Sequence, residues 1–290
     1  MSKVNSKLLI LNGRTVADEV QKITATEIEL LKSQNKRIPG IAVVLAGDNP
    51  ASQTYVKNKE IAAKKLGIYS EVHHMQANIS ENEVINLINS LNANKKIDGI
   101  LVQLPLPTHI KTERIIDSID PNKDVDGLHP YNLGKLMHGQ NTLTPCTPQG
   151  VMEILKYYSI NIRGLSAVVI GRSTLVGKPL SILLLEKDAT VIITHSKTEN
   201  IEEIARSTDI LISAIGKPKL ITKDWIKPDA IVIDVGINRI SEHGTSKLVG
   251  DVDYDNVSSI CKAITPVPGG VGPVTIAMLM NNTLKAYKNK

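Results

Sequence analysis

The sequence predicts an α/β protein of two domains, built on parallel sheets with covering helices. Three observations carry that prediction. Short runs rich in Val and Ile alternate with helix-spaced segments in both halves of the chain. Residues 119–148 interrupt the alternation with a series of turn dipeptides. At 290 residues the chain has the length of about two domains and can bury a sizeable core.

In the first half, residues 38–47 (IPGIAVVLAG) are an apolar run closed by glycine, which reads as a buried strand. Residues 52–66 carry helical spacing, with Tyr55, Lys59 and Ala62 on one side, and Gly67 stops that helix. Ser80 and Glu83 make a capping box. It opens a helix whose apolar positions are Val84, Leu87, Ile88 and Leu91. A second buried strand covers residues 99–104 and ends in Pro105-Leu106-Pro107. The first half therefore reads β-α-β-α-β.

From 119 to 148, Asp120-Pro121, Asp126-Gly127, His129-Pro130, Gly139 and Thr144-Pro145 are loop punctuation. A stretch of that length without structure marks function or a boundary, so the domain junction is placed here. Thr147-Pro148 then caps a helix bearing Val151, Ile154, Leu155 and Tyr158. Beyond it the alternation resumes: strand 167–170, helix 175–186, strand 190–194, helix 201–206, and strands 210–214 and 230–235. A Gly/Pro loop at 266–273 (PVPGGVGP) leads to a final helix from 274 to about 288. Both halves need cover on their outer faces, so that helix is expected to return to the first domain. The expected domains are 1–147 joined by helix 274–290, and 148–273.

Composition excludes several classes. Hydrophobic residues at 42% and charged residues at 22% describe a folded globular chain. With no Phe and one Trp, few rings exist to stack on exposed bases. The net charge of +5 is mild and no run of five Lys/Arg occurs, so nucleic acid is not an expected partner. Cys146 and Cys261 lack metal or disulfide spacing, which fits a reducing compartment and no metal site. No apolar run approaches the ~18 residues that span a bilayer, and residues 8–11 are too short for a secretory signal. A soluble, cytoplasmic protein is expected.

The strand at 167–170 runs into Gly171-Arg172-Ser173 and then a helix, the arrangement that holds a pyrophosphate on converging N–H groups and a helix N-terminus. The match to GxGxxG is loose, because Ser173 takes the second glycine's place and Gly177 comes one residue late. The βαβ context supports a dinucleotide site. NAD-binding folds place a carboxylate about 20 residues on, to receive the ribose hydroxyls. Here the next strand ends in His195-Ser196-Lys197, with Arg172 in the turn. A hydroxyl and cations suit a 2′-phosphate, which points to NADP over NAD.

In the first half, Tyr55 and Lys59 share a helix face. A lysine beside a phenol acts as acid or base if burial lowers its pKa, although such a pair is more commonly a feature of an exposed face. Gln103 is a polar amide inside an apolar strand and needs partners. It lies where open α/β sheets bind ligands. Asp124 and Asp126 occupy what is otherwise a turn, and the glycines of 266–273 let backbone approach a flat ligand.

Together these segments resemble the bifunctional methylenetetrahydrofolate dehydrogenase/methenyltetrahydrofolate cyclohydrolase family, FolD. The likeness runs nearly end to end, through residues 55–59 (YVKNK), 99–107 (GILVQLPLP), 123–127 (KDVDG), 145–148 (PCTP), 171–173 (GRS), 195–196 (HS), 234–238 (DVGIN) and 266–273 (PVPGGVGP). The resemblance implies a folate-binding catalytic domain, a Rossmann-type NADP domain and a catalytic cleft between them. It implies oxidation of 5,10-methylenetetrahydrofolate with NADP, then hydration of the methenyl cation to 10-formyltetrahydrofolate. Lys59 is implied as the central catalytic residue, tuned by Gln103, with Tyr55 packing on the folate and Asp126 holding the pterin. Val102, Leu104, Pro268, Gly269, Gly270, Val271 and Gly272 line the substrate site in that reading. Gly171, Arg172, Ser173, Ser196 and Ile237 bind the cofactor. Partners are one-carbon tetrahydrofolates, polyglutamylated forms included, and a second copy of the chain in a homodimer. A shikimate dehydrogenase-type enzyme shares the general layout but leaves Gln103 unexplained. A non-catalytic nucleotide binder has no support in the motif residues.

Overall fold

The structure, a computed structural model, describes residues 8–242 and 245–290. In chain order the elements are β1 (Leu9–Ile10), α1 (Gly13–Ser33), β2 (Gly40–Ala46), α2 (Pro50–Leu66), β3 (Tyr69–Met75), α3 (Glu81–Ala93), β4 (Gly99–Val102), α4 (Thr112–Asp117) and α5 (Pro130–Met137). There follow α6 (Cys146–Tyr157), β5 (Ser166–Ile170), α7 (Gly177–Leu185), β6 (Thr190–Thr194), α8 (Ile201–Arg206), β7 (Ile210–Ser213) and β8 (Ile231–Asp234). The chain closes with β9 (Asn238–Glu242), β10 (Thr245–Val249), α9 (Tyr254–Val257), β11 (Ala263–Ile264) and α10 (Val271–Lys288). Two compact units result: Asp18–Cys146 with Ile276–Lys290, and the chain up to Ala17 with Thr147–Thr275.

The first unit holds a three-stranded parallel sheet in the order β3-β2-β4. β2 and β4 are buried along their whole length, as expected of apolar strands covered on both faces. The strand between α2 and α3 is β3, an edge strand with Glu71, His73 and His74, whose polarity hides it from a search for apolar runs. The predicted caps are present. Ser80 and Glu83 satisfy each other's backbone N–H at the start of α3, and Gly67 closes α2 with φ 72°. α2 begins at Pro50, two residues earlier than the spacing suggested, because the Asn49 side chain accepts from Ala51 and Ser52.

The second unit holds a six-stranded sheet, β1-β11-β8-β7-β5-β6, parallel throughout. Val168, Ile170, Leu211, Val232 and Ile264 supply its core, with the lone Trp225 packed among them. The sequence reading put residue 1 onward in the first domain. Instead β1 pairs with β11, Leu9 N donating to Lys262 O at 2.9 Å and Leu11 N to Ile264 O at 2.8 Å. Two residues of strand carry too little pattern to reveal such a pairing. Residues 276–290 of the final helix do lie with the first unit.

Other differences have physical reasons. α1 went unread although Val16, Val20, Ile28 and Leu31 form a buried stripe. Thr24 sits in that stripe, fully buried, and the helix satisfies its hydroxyl through a 3.0 Å bond to Val20 O. Residues 119–148 are not structureless: His129 Nδ1 caps α5 and Pro130 opens it. α6 starts at Cys146, so Pro148 lies inside its first turn.

One ion cluster fixes how β2 and β4 begin. Asp98, buried just before β4, accepts from Gly40 N (2.9 Å), from Arg37 (2.6 and 2.9 Å) and from Lys290 (2.8 Å). Burial by itself raises this carboxyl's pKa, but the bonds from Arg37, Lys290 and Gly40 outweigh it and hold the group below its ordinary 3.8. Replacing Asp98 with Ala is expected to destabilise the chain by about 2 kcal/mol, less than for a fully buried pair because both cations keep partial exposure. The folded-state pKa is depressed, so this stability is complete above the unfolded value and is lost as pH falls. Thermal melts should therefore separate parent from D98A at neutral pH and converge only as pH falls through the depressed folded-state pKa, below 3.8. A gap unchanged at acid pH counts against the assignment.

Candidate active site

The sheet of the first unit steps from β2 outward to β3, then returns to the other side of β2 as β4. Open parallel sheets bind ligands at the carboxyl ends where winding reverses in this way. Beyond β2, helix α2 carries Tyr55 and Lys59 one turn apart, both half-buried. Beyond β4 comes Gln103, whose N–H still donates to Val44 O at 2.8 Å and holds the strand register. Its side-chain amide donates to Leu104 O at 2.7 Å, which turns Oε1 outward. Lys59 Nζ donates to that oxygen at 2.9 Å. Val102 is buried beneath, and Leu104 precedes a cis peptide to Pro105.

Burial strips water from the Lys59 ammonium and pushes its pKa below the ordinary 10.5, against the upward pull of Asp126 and Cys146. Burial also raises the Asp126 pKa above 3.8, against Lys59 and a hydrogen bond from Cys146. The Cys146 thiol, buried beside them, is held well above its usual range by desolvation and stays neutral. Its Sγ donates to Val125 O at 3.2 Å. Lys59 and Asp126 are thus both shifted towards their uncharged forms, the condition for groups that exchange protons near neutrality.

Neighbours on the 123–127 segment fix Asp126. Lys123 is buried and its ammonium caps the end of α3, donating to the carbonyls of Leu91 (2.9 Å), Asn92 (2.6 Å) and Asn94 (2.9 Å). The Asp124 carboxylate accepts from His129 N and Asn132 Nδ2, both at 2.8 Å. Gly127, at φ 72°, lies so close to the Thr144–Pro145 peptide that a Cβ would sit 2.4 Å from it. From α10, Asn282 Nδ2 donates to Val125 O and Thr144 O, each at 2.9 Å. Asn282 and the roles of Lys123 and Cys146 escaped sequence reasoning. The one available signal was a polar Asn281-Asn282-Thr283 run inside an apolar helix.

In the second unit the winding reverses between β5 and β7. Gly171 follows β5 at φ 119°, and a Cβ there would lie 2.5 Å from Ala214 O beyond β7. A Cβ on Gly177 would lie 2.0 Å from Gly171 O, so the late glycine lets α7 pack onto the loop. Ser173 Oγ accepts from Val176 N (3.1 Å) and Gly177 N (3.4 Å), which delays the helix to Gly177 from the expected residue 175. At the end of β6, His195 N donates to Thr198 Oγ1 at 3.0 Å and Lys197 N to His195 Nδ1 at 3.2 Å. That turn leaves Ser196 and Lys197 exposed, as Arg172 and Ser173 are, and residues 195–198 include no carboxylate. A glycine cradle with a hydroxyl and cations beside it fits a dinucleotide carrying a 2′-phosphate.

The 266–273 segment belongs to the same unit. Val267–Pro268 is cis, Gly269 adopts φ 103° and Gly13 N donates to Gly269 O at 2.8 Å. A Cβ on Gly270 would meet Pro266 O at 2.5 Å, and one on Gly272 would reach Ile237 Cδ1 at 3.3 Å. Val271 opens α10, buried. Among the described residues no cluster of His, Cys, Asp and Glu could hold a metal ion, and no helix is long and apolar enough to cross a membrane.

Comparison with known proteins agrees with this geometry. Residues 11–126 match the catalytic domain of tetrahydrofolate dehydrogenase/cyclohydrolase, and residues 145–290 match its NAD(P)-binding domain. The "Bifunctional protein FolD" of Nitratiruptor sp. is 52% identical over 97% of this chain and 98% of its own length. The crystal structure of the bifunctional dehydrogenase/cyclohydrolase from Campylobacter jejuni superposes with a TM-score of 0.94 at 47% identity, covering 98% and 99% of the two chains. The Trypanosoma brucei enzyme, solved with NADP cofactor and an inhibitor, gives 0.94 at 39% identity over 97% and 98%.

The tight Gly177 contact yields a test. Gly177→Ala must displace the loop at Gly171, and dinucleotide affinity should fall by about tenfold or more, some 1.4 kcal/mol. Fluorescence titration of the folded variant checks this; unchanged affinity means the loop is not the phosphate site.

Proposed function

Since the chain belongs to the tetrahydrofolate dehydrogenase/cyclohydrolase family, we propose that its chemistry is carried by Lys59, Gln103, Tyr55 and Asp126. It is a bifunctional enzyme of one-carbon folate metabolism. It oxidises 5,10-methylenetetrahydrofolate to the methenyl cation with NADP, then hydrolyses that cation to 10-formyltetrahydrofolate. The observation that carries the residue assignment is the Lys59–Gln103 bond, with the ammonium desolvated beside Asp126.

NADP, when bound, takes up the hydride released in the first step. That step asks little acid–base work of the protein, because the nitrogens flanking the substrate carbon stabilise the cation left behind. Tyr55 packs on the folate and Asp126 bonds to the pterin, so their task is orientation. Val102 and Leu104 flank Gln103 in that site, and Pro268, Gly269, Gly270, Val271 and Gly272, in the other unit, are further substrate-binding residues in this reading. Hydration is the step that moves protons. Neutral Lys59 takes a proton from the attacking water as the new C–O bond forms. The resulting ammonium, held on Gln103 Oε1, returns it to the departing nitrogen as the C–N bond breaks, while the remaining hydroxyl proton leaves to solvent as the formyl C=O forms. Gln103 thereby stabilises the cation without a counter-charge that would trap the proton.

Gly171, Arg172, Ser173, Ser196 and Ile237 bind NADP in this reading, with Arg172 and Ser196 at the 2′-phosphate. The support is the glycine cradle and the carboxylate-free turn after β6. The chain acts on tetrahydrofolates, polyglutamylated forms among them, as a cytoplasmic homodimer whose size light scattering would measure.

Lys59→Met should abolish hydration of the methenyl substrate while NADP still binds; hydration at the parent rate would refute the lysine assignment. Because the Lys59 pKa is lowered and the neutral amine is the working form, hydration should rise with pH to a plateau whose midpoint lies below the ordinary lysine value. A pH-independent rate removes Lys59 from the base's role. Ser196→Asp places a carboxylate where the 2′-phosphate sits and should shift preference towards NAD, read as the ratio of kcat/KM for the two cofactors. An unchanged ratio locates the 2′-phosphate elsewhere.

A further inference from the structure

The turn after β7 begins against the Gly171 loop, where a Cβ on Gly171 would lie 2.5 Å from Ala214 O, and a single carboxylate holds it. Asp251, fully buried beyond β10, reaches beneath this turn. Its Oδ2 accepts from Ile215 N (2.8 Å), Gly216 N (3.1 Å) and Ser213 Oγ (3.1 Å). Its Oδ1 accepts from Lys217 N (2.9 Å) and Asn238 Nδ2 (2.9 Å). Five neutral donors therefore converge on one buried charge, a costly arrangement unless every bond is kept.

The 236–238 turn is locked to the same group. Gly236 passes so near that a Cβ would lie 2.1 Å from Asp251 Oδ1. Asp234, at the end of β8, accepts from Gly236 N (2.9 Å), Asp251 N (3.0 Å) and Val252 N (2.9 Å). Burial, then the neighbouring Asp251 charge, raises the Asp234 pKa to about 7 despite these bonds. Ile237 rides on this turn.

Position in the sheet gives the cluster its meaning. With the 2′-phosphate at the end of β6 and the pyrophosphate at the Gly171 loop after β5, the other half of the dinucleotide extends towards β7 and β8. The turns there are 215–217 and 236–238, the two that Asp251 joins. We propose that Asp251 is the positioning residue of the cofactor crevice, clamping both turns into the wall that receives the nicotinamide half of NADP. This rests on the reading of Gly171, Arg172 and Ser196 as the phosphate-binding side.

The test compares two activities in one full-length chain. Asp251→Asn keeps one acceptor oxygen and turns an amide N–H towards donors that now lack a partner. The KM for NADP should rise by about tenfold, the loss expected of one or two strong bonds, with kcat for oxidation also reduced. Hydration of the methenyl substrate uses Lys59 and Gln103 and should fall much less than oxidation does. A merely structural role would lower both activities together. Asn238→Ala removes one arm only and should give an intermediate KM, so the inference remains testable if D251N fails to fold. Folded D251N and N238A proteins with the parent KM for NADP would overturn it, provided R172A and S196D weaken NADP. If R172A and S196D also leave NADP untouched, the phosphate-side reading fails and takes this inference with it.

Discussion

A lysine ammonium held away from water on a neutral amide, the 2.9 Å bond from Lys59 to Gln103, is the interaction around which the first unit is organised. A carboxylate in the same place would bind the proton tightly and keep the lysine charged. An amide oxygen stabilises the ammonium enough to form it and lets the proton go again. The amide must then be aimed. The Gln103 backbone is tied to Val44 and its NH2 to Leu104 O, so only the oxygen is left to face the lysine. The lysine in turn needs a helix of fixed phase, supplied by the Asn49 cap at one end of α2 and Gly67 at the other.

Both units set their functional loops by the same device. A buried charged group satisfies backbone that would otherwise be orphaned at the ends of strands and helices. Lys123 closes α3, Asp98 closes the start of β2, and Asp251 gathers the turns after β7 and β8. Such groups are expensive to bury, so each adds only the excess of its bonds over that cost, and removing one leaves its partners unsatisfied. Their value is geometric: each admits one arrangement of its hydrogen-bond partners, so the loops that carry Asp126 or Ile237 have one shape.

The central strands were legible because they are buried on both faces, and an unbroken Val/Ile run needs no partner to be recognised. Caps such as Ser80/Glu83 were legible because their spacing is local. β3 was not located, since an edge strand carrying Glu71, His73 and His74 has no apolar signature. The β9–β10 hairpin and β11 were missed as well, the hairpin being polar and β11 only two residues long. α1 was missed because a threonine interrupts its stripe.

For the candidate site, the roles of Lys59 and Asp126 came from the family resemblance, whereas residue types and order pointed to Gln103, the Gly171 loop and a cofactor bearing a 2′-phosphate. Those inferences are local: a glycine before a helix, an amide in an apolar strand, a missing carboxylate after the next strand. What the sequence could not supply is anything that depends on atoms brought together from distant segments. Burial shifts Lys59 and Asp126, and each feels the other and Cys146 at the start of α6, groups that lie far apart in sequence. Asn282 reaches Val125 across 157 positions, and Asp251 serves turns on two other strands. A side chain's partners and its distance from water are properties of packing, so only the tertiary structure decided which polar residues hold the site in place.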